Sequence, residues 1–231
     1  MELRRALTTG EFVSGQRLTV RGLSDAMSTS VMPVRTAVVR LVAQGALEQL
    51  SNGSVMVPAF REEVFCDLMD VRIHLEGFAA ESAAERITRA GLDQVVVQSQ
   101  LLEVAWNSCD IDEYLRCNRA FKFAIYEHCG SAVLVDLIGA LWLRVGPLLR
   151  SLESHRGRFS QVHFHDEIVG ALRKGDGPGA RFAMERDIRA GRDFIVSRGH
   201  SGNNGDPVGS EAVTMATGQH EIRRKSATSD A

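Results

Sequence analysis

Ser30-Val31-Met32-Pro33-Val34-Arg35-Thr36-Ala37-Val38-Val39-Arg40-Leu41-Val42 carries the signals that decide the fold. Ser30 is a favoured N-cap type, and Pro33 falls in the first turn, where its missing N–H costs nothing. Val34, Val38, Leu41 and Val42 then repeat at helical spacing on one side, and Gly45 ends the segment. Upstream, Thr19 caps a shorter helix to Met27, and Ser28-Thr29-Ser30 makes a polar turn between the two. A first helix over 2–9 precedes the turn Gly10-Glu11-Phe12-Val13-Ser14-Gly15. Downstream come two short β segments, Leu47–Leu50 and Ser54–Val57. Asn52-Gly53 between them signals a hairpin, and Pro58 closes the unit. Residues 1–58 thus spell a winged helix-turn-helix whose third helix enters the major groove of DNA.

The texture changes after Pro58. Val64, Leu68, Val71, Leu75 and Phe78 recur at 3–4 spacing in a helix over 61–88, which Thr88 and Gly91 interrupt. Further helices are expected over 92–106, 111–128, 131–155 with a kink at Pro147, 159–173 and 176–197. The fold class is mainly α: the winged domain at 1–58, an antiparallel all-helical bundle at 59–198, and a polar tail at 199–231 expected to be disordered.

Composition agrees with a globular chain. Of 231 residues, 44% are hydrophobic and 24% charged, enough apolar material for a core. The net charge of −2 hides an asymmetry: residues 1–58 carry six arginines against four acids, so the rest is net −4. A mildly basic front on an acidic body suits a DNA-binding head with a separate partner domain. No apolar run approaches the ~20 residues of a membrane span. The arginines of the N-terminus have no apolar run behind them, so no signal peptide is expected and the cytoplasm is the default location. Cys66, Cys109, Cys117 and Cys129 form no CxxC pair. Free buried thiols are the plain interpretation, with a redox-sensing pair as the alternative. No Gly-rich phosphate loop, GxSxG or HExxH is present, and nothing asks for catalysis: the chain is expected not to be an enzyme.

Gly10-Glu11-Phe12-Val13-Ser14-Gly15-Gln16-Arg17-Leu18, then Ser30 to Val38 with Leu41 in register, then Gly45-Ala46-Leu47 and Asn52-Gly53-Ser54-Val55 follow a known order and spacing. In these motifs the chain resembles the GntR family of regulators. The body resembles the FCD type of effector domain of the FadR-like branch, through Arg72-Ile73-His74-Leu75-Glu76, Ala79-Ala80, His165-Asp166-Glu167-Ile168-Val169-Gly170-Ala171-Leu172 and Gly175-Asp176. The resemblance implies a homodimeric repressor, bound to a palindromic operator in double-stranded DNA and controlled by a small molecule.

Arg35, opposite the apolar stripe, can pair with a guanine edge or grip phosphate. Ser30 and Thr36 can bond phosphates, although Ser30 also serves as a plain N-cap. Gly53 lets the wing tip approach the backbone, and Arg40 is a further cation. Val31 stands where many relatives carry arginine, which leaves open an interaction module that no longer binds DNA. In many FCD domains an aspartate, a histidine one turn later and two further histidines hold a metal; Asn118, Lys122, His165 and Asp187 occupy those places here. Lysine repels a divalent cation, so a metal-free site is expected: Lys122 with Asn118, His165 and Asp187, and with Arg72, binding an organic acid. Two alternatives remain. Lys122–Asp187 is a structural ion pair in a vestigial pocket of a constitutive regulator, or His165 and Asp187 retain Zn or Ni. His74 and His128 read as helix-face histidines, and His163 as a surface residue.

Overall fold

The computed structural model describes residues 2–108, 110–150 and 164–199. The head begins with α1 (Glu2–Thr8), β1 (Arg17–Leu18), α2 (Val20–Ala26) and α3 (Val31–Ala43), and ends in β2 (Glu48–Gln49) and β3 (Val55–Met56). Thr19 accepts a hydrogen bond from Gly22 N–H at 3.0 Å and starts α2. Ser28 takes the positive φ of the turn between α2 and α3. Ser30 occupies the N-cap position of α3, but its side chain makes no capping bond, so that role is not realised. Gly45, at φ +68, reverses the chain after α3. Leu7, Leu23, Leu41 and Leu47 are fully buried in one cluster. Each removes an apolar side chain from water at a gain of about 2 kcal/mol.

The wing hairpin closes through residues 51–53, between the two expected β segments: Leu50 N–H donates to the Ser54 carbonyl at 2.9 Å, and Gly53, at φ +81, donates its N–H to the Leu50 carbonyl at 3.0 Å. One feature of the wing differs from expectation. A third strand, β1, pairs antiparallel with β3 and gives the order β1-β3-β2. Two residues carry no periodicity, so only the tertiary pairing reveals this strand.

The body comprises α4 (Glu62–Ala84), α5 (Arg89–Asn107), α6 (Ile111–Tyr126), α7 (Ala132–Leu149), α8 (Phe164–Lys174) and α9 (Gly177–Gly199). Thr88 caps α5 by accepting from Gly91 N–H; Gly91 therefore lies inside a helix rather than breaking one. Asp110 and Ser131 cap α6 and α7 as their sequence contexts suggest. Helix α7 runs through Pro147, which sits in its last turn. Phe65, Phe121, Tyr126 and Trp142 lie at the centre of the bundle. Helix α7 is also long and apolar enough to cross a membrane by length and composition, contrary to the expectation that no such run exists. Half of it is buried, with Trp142 in the bundle core and Leu143 in the core of the head. The head and the bundle therefore share packing across residue 58. Gly146 enables this contact, because a Cβ there would collide with the Leu7 carbonyl of α1.

Cys66, Cys117 and Cys129 are free thiols, the last two buried. Cys109, His163, the expected extension of α7 to 155, the start of the following helix at 159 and the tail from 200 lie outside the described residues.

Candidate DNA interface and the polar core of the bundle

Helix α3 buries Val34, Val38 and Leu41 and turns Arg35, Thr36 and Arg40 outward. Between α3 and the wing lies a trough of about 500 Å³, lined by Arg35, Val39, Asn52, Gly53 and Ser54 among others. Arg35 and Gly53, 18 positions apart in sequence, thus share one concavity. The Asn52 Oδ1 accepts from Ser54 N–H at 3.1 Å and from its hydroxyl at 2.6 Å, which stiffens the tip. No side chain crowds Gly53, so the tip is open to an incoming backbone. Ser30 and Thr36 are exposed but do not line the trough; the Thr36 hydroxyl donates to the Met32 carbonyl at 3.2 Å. Arg40 does not line the trough. The exposed part of α3 also carries Met32 at 67% and Val39 at 63% exposure, an apolar surface that packing inside the protein does not explain.

In the bundle, α6 and α9 bring Lys122, His165 of α8 and Asp187 together. The Lys122 ammonium donates to Asp187 Oδ2 at 2.5 Å, and His165 Nε2 lies 3.3 Å from Oδ1. Lys122 is 3% exposed and Asp187 18%. Burial opposes ionisation of Asp187, but the charges of Lys122 and His165 and their hydrogen bonds outweigh it and hold the carboxyl well below the usual range. Phe121 meets the His165 ring edge-on at 5.1 Å. Asn118 is buried one turn before Lys122 and makes no side-chain hydrogen bond among the described residues.

Arg72 is not part of that triad. Its guanidinium grips Glu76, one turn on, through Nε at 2.5 Å and Nη2 at 3.2 Å, and lies 4.6 Å over the Trp142 ring. Glu76 also accepts from Tyr126 Oη at 2.5 Å and from Trp142 Nε1 at 3.0 Å. Burial, then the neighbouring Glu76, pushes the Tyr126 phenol far up. Met184 joins the two groups, its sulfur 3.3 Å from Lys122 Nζ and 3.5 Å from Tyr126 Oη. The result is a continuous polar seam from Asp187 to Arg72, with each of its cations matched by a carboxylate. Glu76, Tyr126, Trp142 and Met184 were missing from the sequence-derived site. The i,i+4 spacing of Arg72 and Glu76 was a usable signal for one of them; the other three join only across helices.

The donor set does not fit a divalent metal. His165 and Asp187 are the ligand-type groups of the triad, and an ammonium occupies one Asp187 oxygen. Among the described residues no group of three or more His, Cys, Asp and Glu side chains converges. His74 is exposed, and the His128 ring packs over Gly91.

Comparison with known proteins gives the context of these two sites. Residues 1–57 match the family "Bacterial regulatory proteins, gntR family", and residues 67–190 match the FCD domain. The chain is 28% identical over 186 residues to the HTH-type transcriptional regulator McbR of Escherichia coli, covering 79% of this chain and 84% of McbR. It is 25% identical over 140 residues to the HTH-type transcriptional repressor GlaR of the same organism, covering 58% of this chain and 63% of GlaR. The solved structure of E. coli McbR/YncC superposes with a TM-score of 0.76 at 25% identity, over 85% of this chain and 94% of that one. A putative GntR regulator from Rhodococcus sp. RHA1 shares the fold, with a TM-score of 0.69 at 20% identity over 85% of this chain and 94% of its own. Both families and these relatives are transcription regulators, not enzymes.

Proposed function

This chain belongs to the GntR family of bacterial regulatory proteins, as a DNA-binding transcription regulator with an FCD domain, and on that premise we propose that it is a cytoplasmic repressor whose homodimer holds a palindromic operator and is released or tightened by a small organic acid bound in the bundle. One observation carries the DNA-binding part: the trough that Arg35 shares with the wing tip at Gly53. Arg35 reads a guanine edge, Ser30 and Thr36 take phosphates, Gly53 seats the wing on the backbone, and Arg40 adds positive charge. Met32 and Val39 offer apolar contact to thymine methyl groups. With six arginines against four acids the head is only modestly basic, so two heads on two half-sites supply the affinity. Repression is supported by the relative GlaR, which is described as a repressor.

The effector part places the acid at Lys122, with Asn118, His165 and Asp187 around it and Arg72 beyond; its carboxylate has to displace Asp187 from the ammonium. The site operates without metal, since Lys122 fills the place of the cation. Elemental analysis of purified protein should find neither Zn nor Ni near one equivalent per chain; one equivalent of either sinks the metal-free assignment. A second interpretation is favoured by the internal ion pairs: a constitutive regulator whose polar seam is structural. Selection of operators from random duplexes tests the main proposal. A two-fold symmetric site should emerge, binding should weaken steeply with salt, and Arg35→Ala should lose 10-fold or more at the guanine position, in line with about 1–3 kcal/mol for a bidentate contact. Failure to select any site overturns the proposal.

A further inference from the structure

A groove of about 610 Å³ runs between α5 and α6 on the outside of the bundle. Val97 and Phe123 give it apolar walls, Gln98 adds an amide, and Asp93, Glu127 and Arg119 supply charge. Arg119, which is half-buried, differs from the buried cations of the body. Arg72 has Glu76 and Lys122 has Asp187. Arg119 has no ion pair and no hydrogen bond among the described residues, and its Nε is buried without a partner. Its guanidinium is fixed 4.3 Å over the Phe123 ring. A buried N–H with no acceptor is unfavourable, and a guanidinium held over an aromatic ring keeps N–H groups free for an acceptor. Burial, and after it the nearby charge of Arg4, disfavour the Arg119 cation, and the charge of Glu127 offsets them only in part. An anion at the guanidinium relieves the uncompensated charge.

We propose that this groove is a binding site for a small monocarboxylic acid with an apolar body, its carboxylate held by the Arg119 N–H edge and its body lying along Phe123 and Val97. The volume suits a small ligand, and the planar fork of guanidinium matches a carboxylate. The far end selects against a second carboxylate. Glu127, the C-cap of α6 eight positions on, lines the same groove, and with Asp93 makes that end acidic. The site is separate from Lys122, which faces the core; it goes beyond the effector part of the proposed function and rests on that reading only for its regulatory consequence.

Calorimetric titration of the full-length protein with hexanoate and with benzoate, each beside its primary amide, and with adipate tests the site. Hexanoate and benzoate should bind, and the amides and adipate should bind at least tenfold more weakly. Arg119→Met should weaken hexanoate at least tenfold. Gln98→Glu should do the same by giving Arg119 an internal counter-ion, and it covers the case in which Arg119→Met does not fold. Absence of acid binding, equal binding of acid and amide, or equal binding by wild type and both variants overturns the proposal. So does conversion of a dimer to monomers by Arg119→Met in light scattering, because the groove is then covered by a second copy. Operator binding is measured on the same samples. DNA binding without acid binding sinks this site and leaves the regulator standing; acid binding without DNA binding does the reverse.

Discussion

Lys122 and Asp187 are 65 positions apart in sequence and meet at 2.5 Å in the bundle. Removing one partner of such a pair leaves the other charge stranded at low polarity, so Lys122→Met should destabilise the protein by ~3 kcal/mol in urea unfolding. The double variant Lys122→Met/Asp187→Leu should regain most of that loss. If the double variant is no more stable than the single, the pair is not the determinant. The carboxyl of Asp187 also sets a pH dependence. Its folded value lies below its unfolded value of about 3.9, so its contribution is complete above about pH 4 and is lost as pH falls toward the folded value. Urea midpoints followed from pH 7 to pH 3 should therefore fall more steeply below pH 4 in wild type than in Asp187→Asn. Parallel curves would show that Asp187 is not held low. The convergence of the lysine, the aspartate and the histidine was legible, because they stand where the family places metal ligands. The internal neutralisation of Arg72 by Glu76 was not foreseen, because i,i+4 spacing puts a pair on one helix face without showing whether that face is buried.

At the level of elements, the winged head was almost fully legible. Caps, glycines and the apolar stripe of α3 act within a few residues, and local chemistry decides them. Strand β1 escaped because a two-residue strand exists only through its partner. The packing of α1 on α7 escaped for the same reason. Leu143 enters the core of the head, and Gly146 lets the α1 backbone approach α7. Gly146→Ala should push these helices apart and cost ~1–3 kcal/mol. Hydrogen exchange should show the amides of α1 losing protection before those of the bundle; unchanged protection would mean the contact absorbs a methyl group without displacement.

For the whole molecule, the head and bundle are connected by more than the chain at residue 58. Arg4 on α1 donates to Gln44, the C-cap of α3, at 2.8 Å, and its charge is felt at Arg119. An anion at Arg119 lowers the repulsion that Arg4 feels, so its binding favours the docked head. Linkage then requires reciprocity: an acid that alters operator affinity by some factor must have its own affinity altered by the same factor when operator is present. Titrating hexanoate against free protein and against the operator complex measures both sides. Arg4→Gln should leave hexanoate binding in place and shrink the coupling; coupling of undiminished size in that variant would remove Arg4 from the path.

The sequence alone determined the class of each half of this protein: the winged head from caps, turns and one apolar stripe, the helical body from 3–4 spacing, and the likeness to GntR and FCD domains from motifs in order. These features are local, and a chain displays them before it packs. The tertiary structure decided which charges are already matched. It paired Lys122 with Asp187 and Arg72 with Glu76, left Arg119 Nε without an acceptor, and joined the head to the bundle through Leu143 and Gly146. Those outcomes depend on which helix faces come within about 3–4 Å of each other, and helical periodicity gives the faces without giving their neighbours.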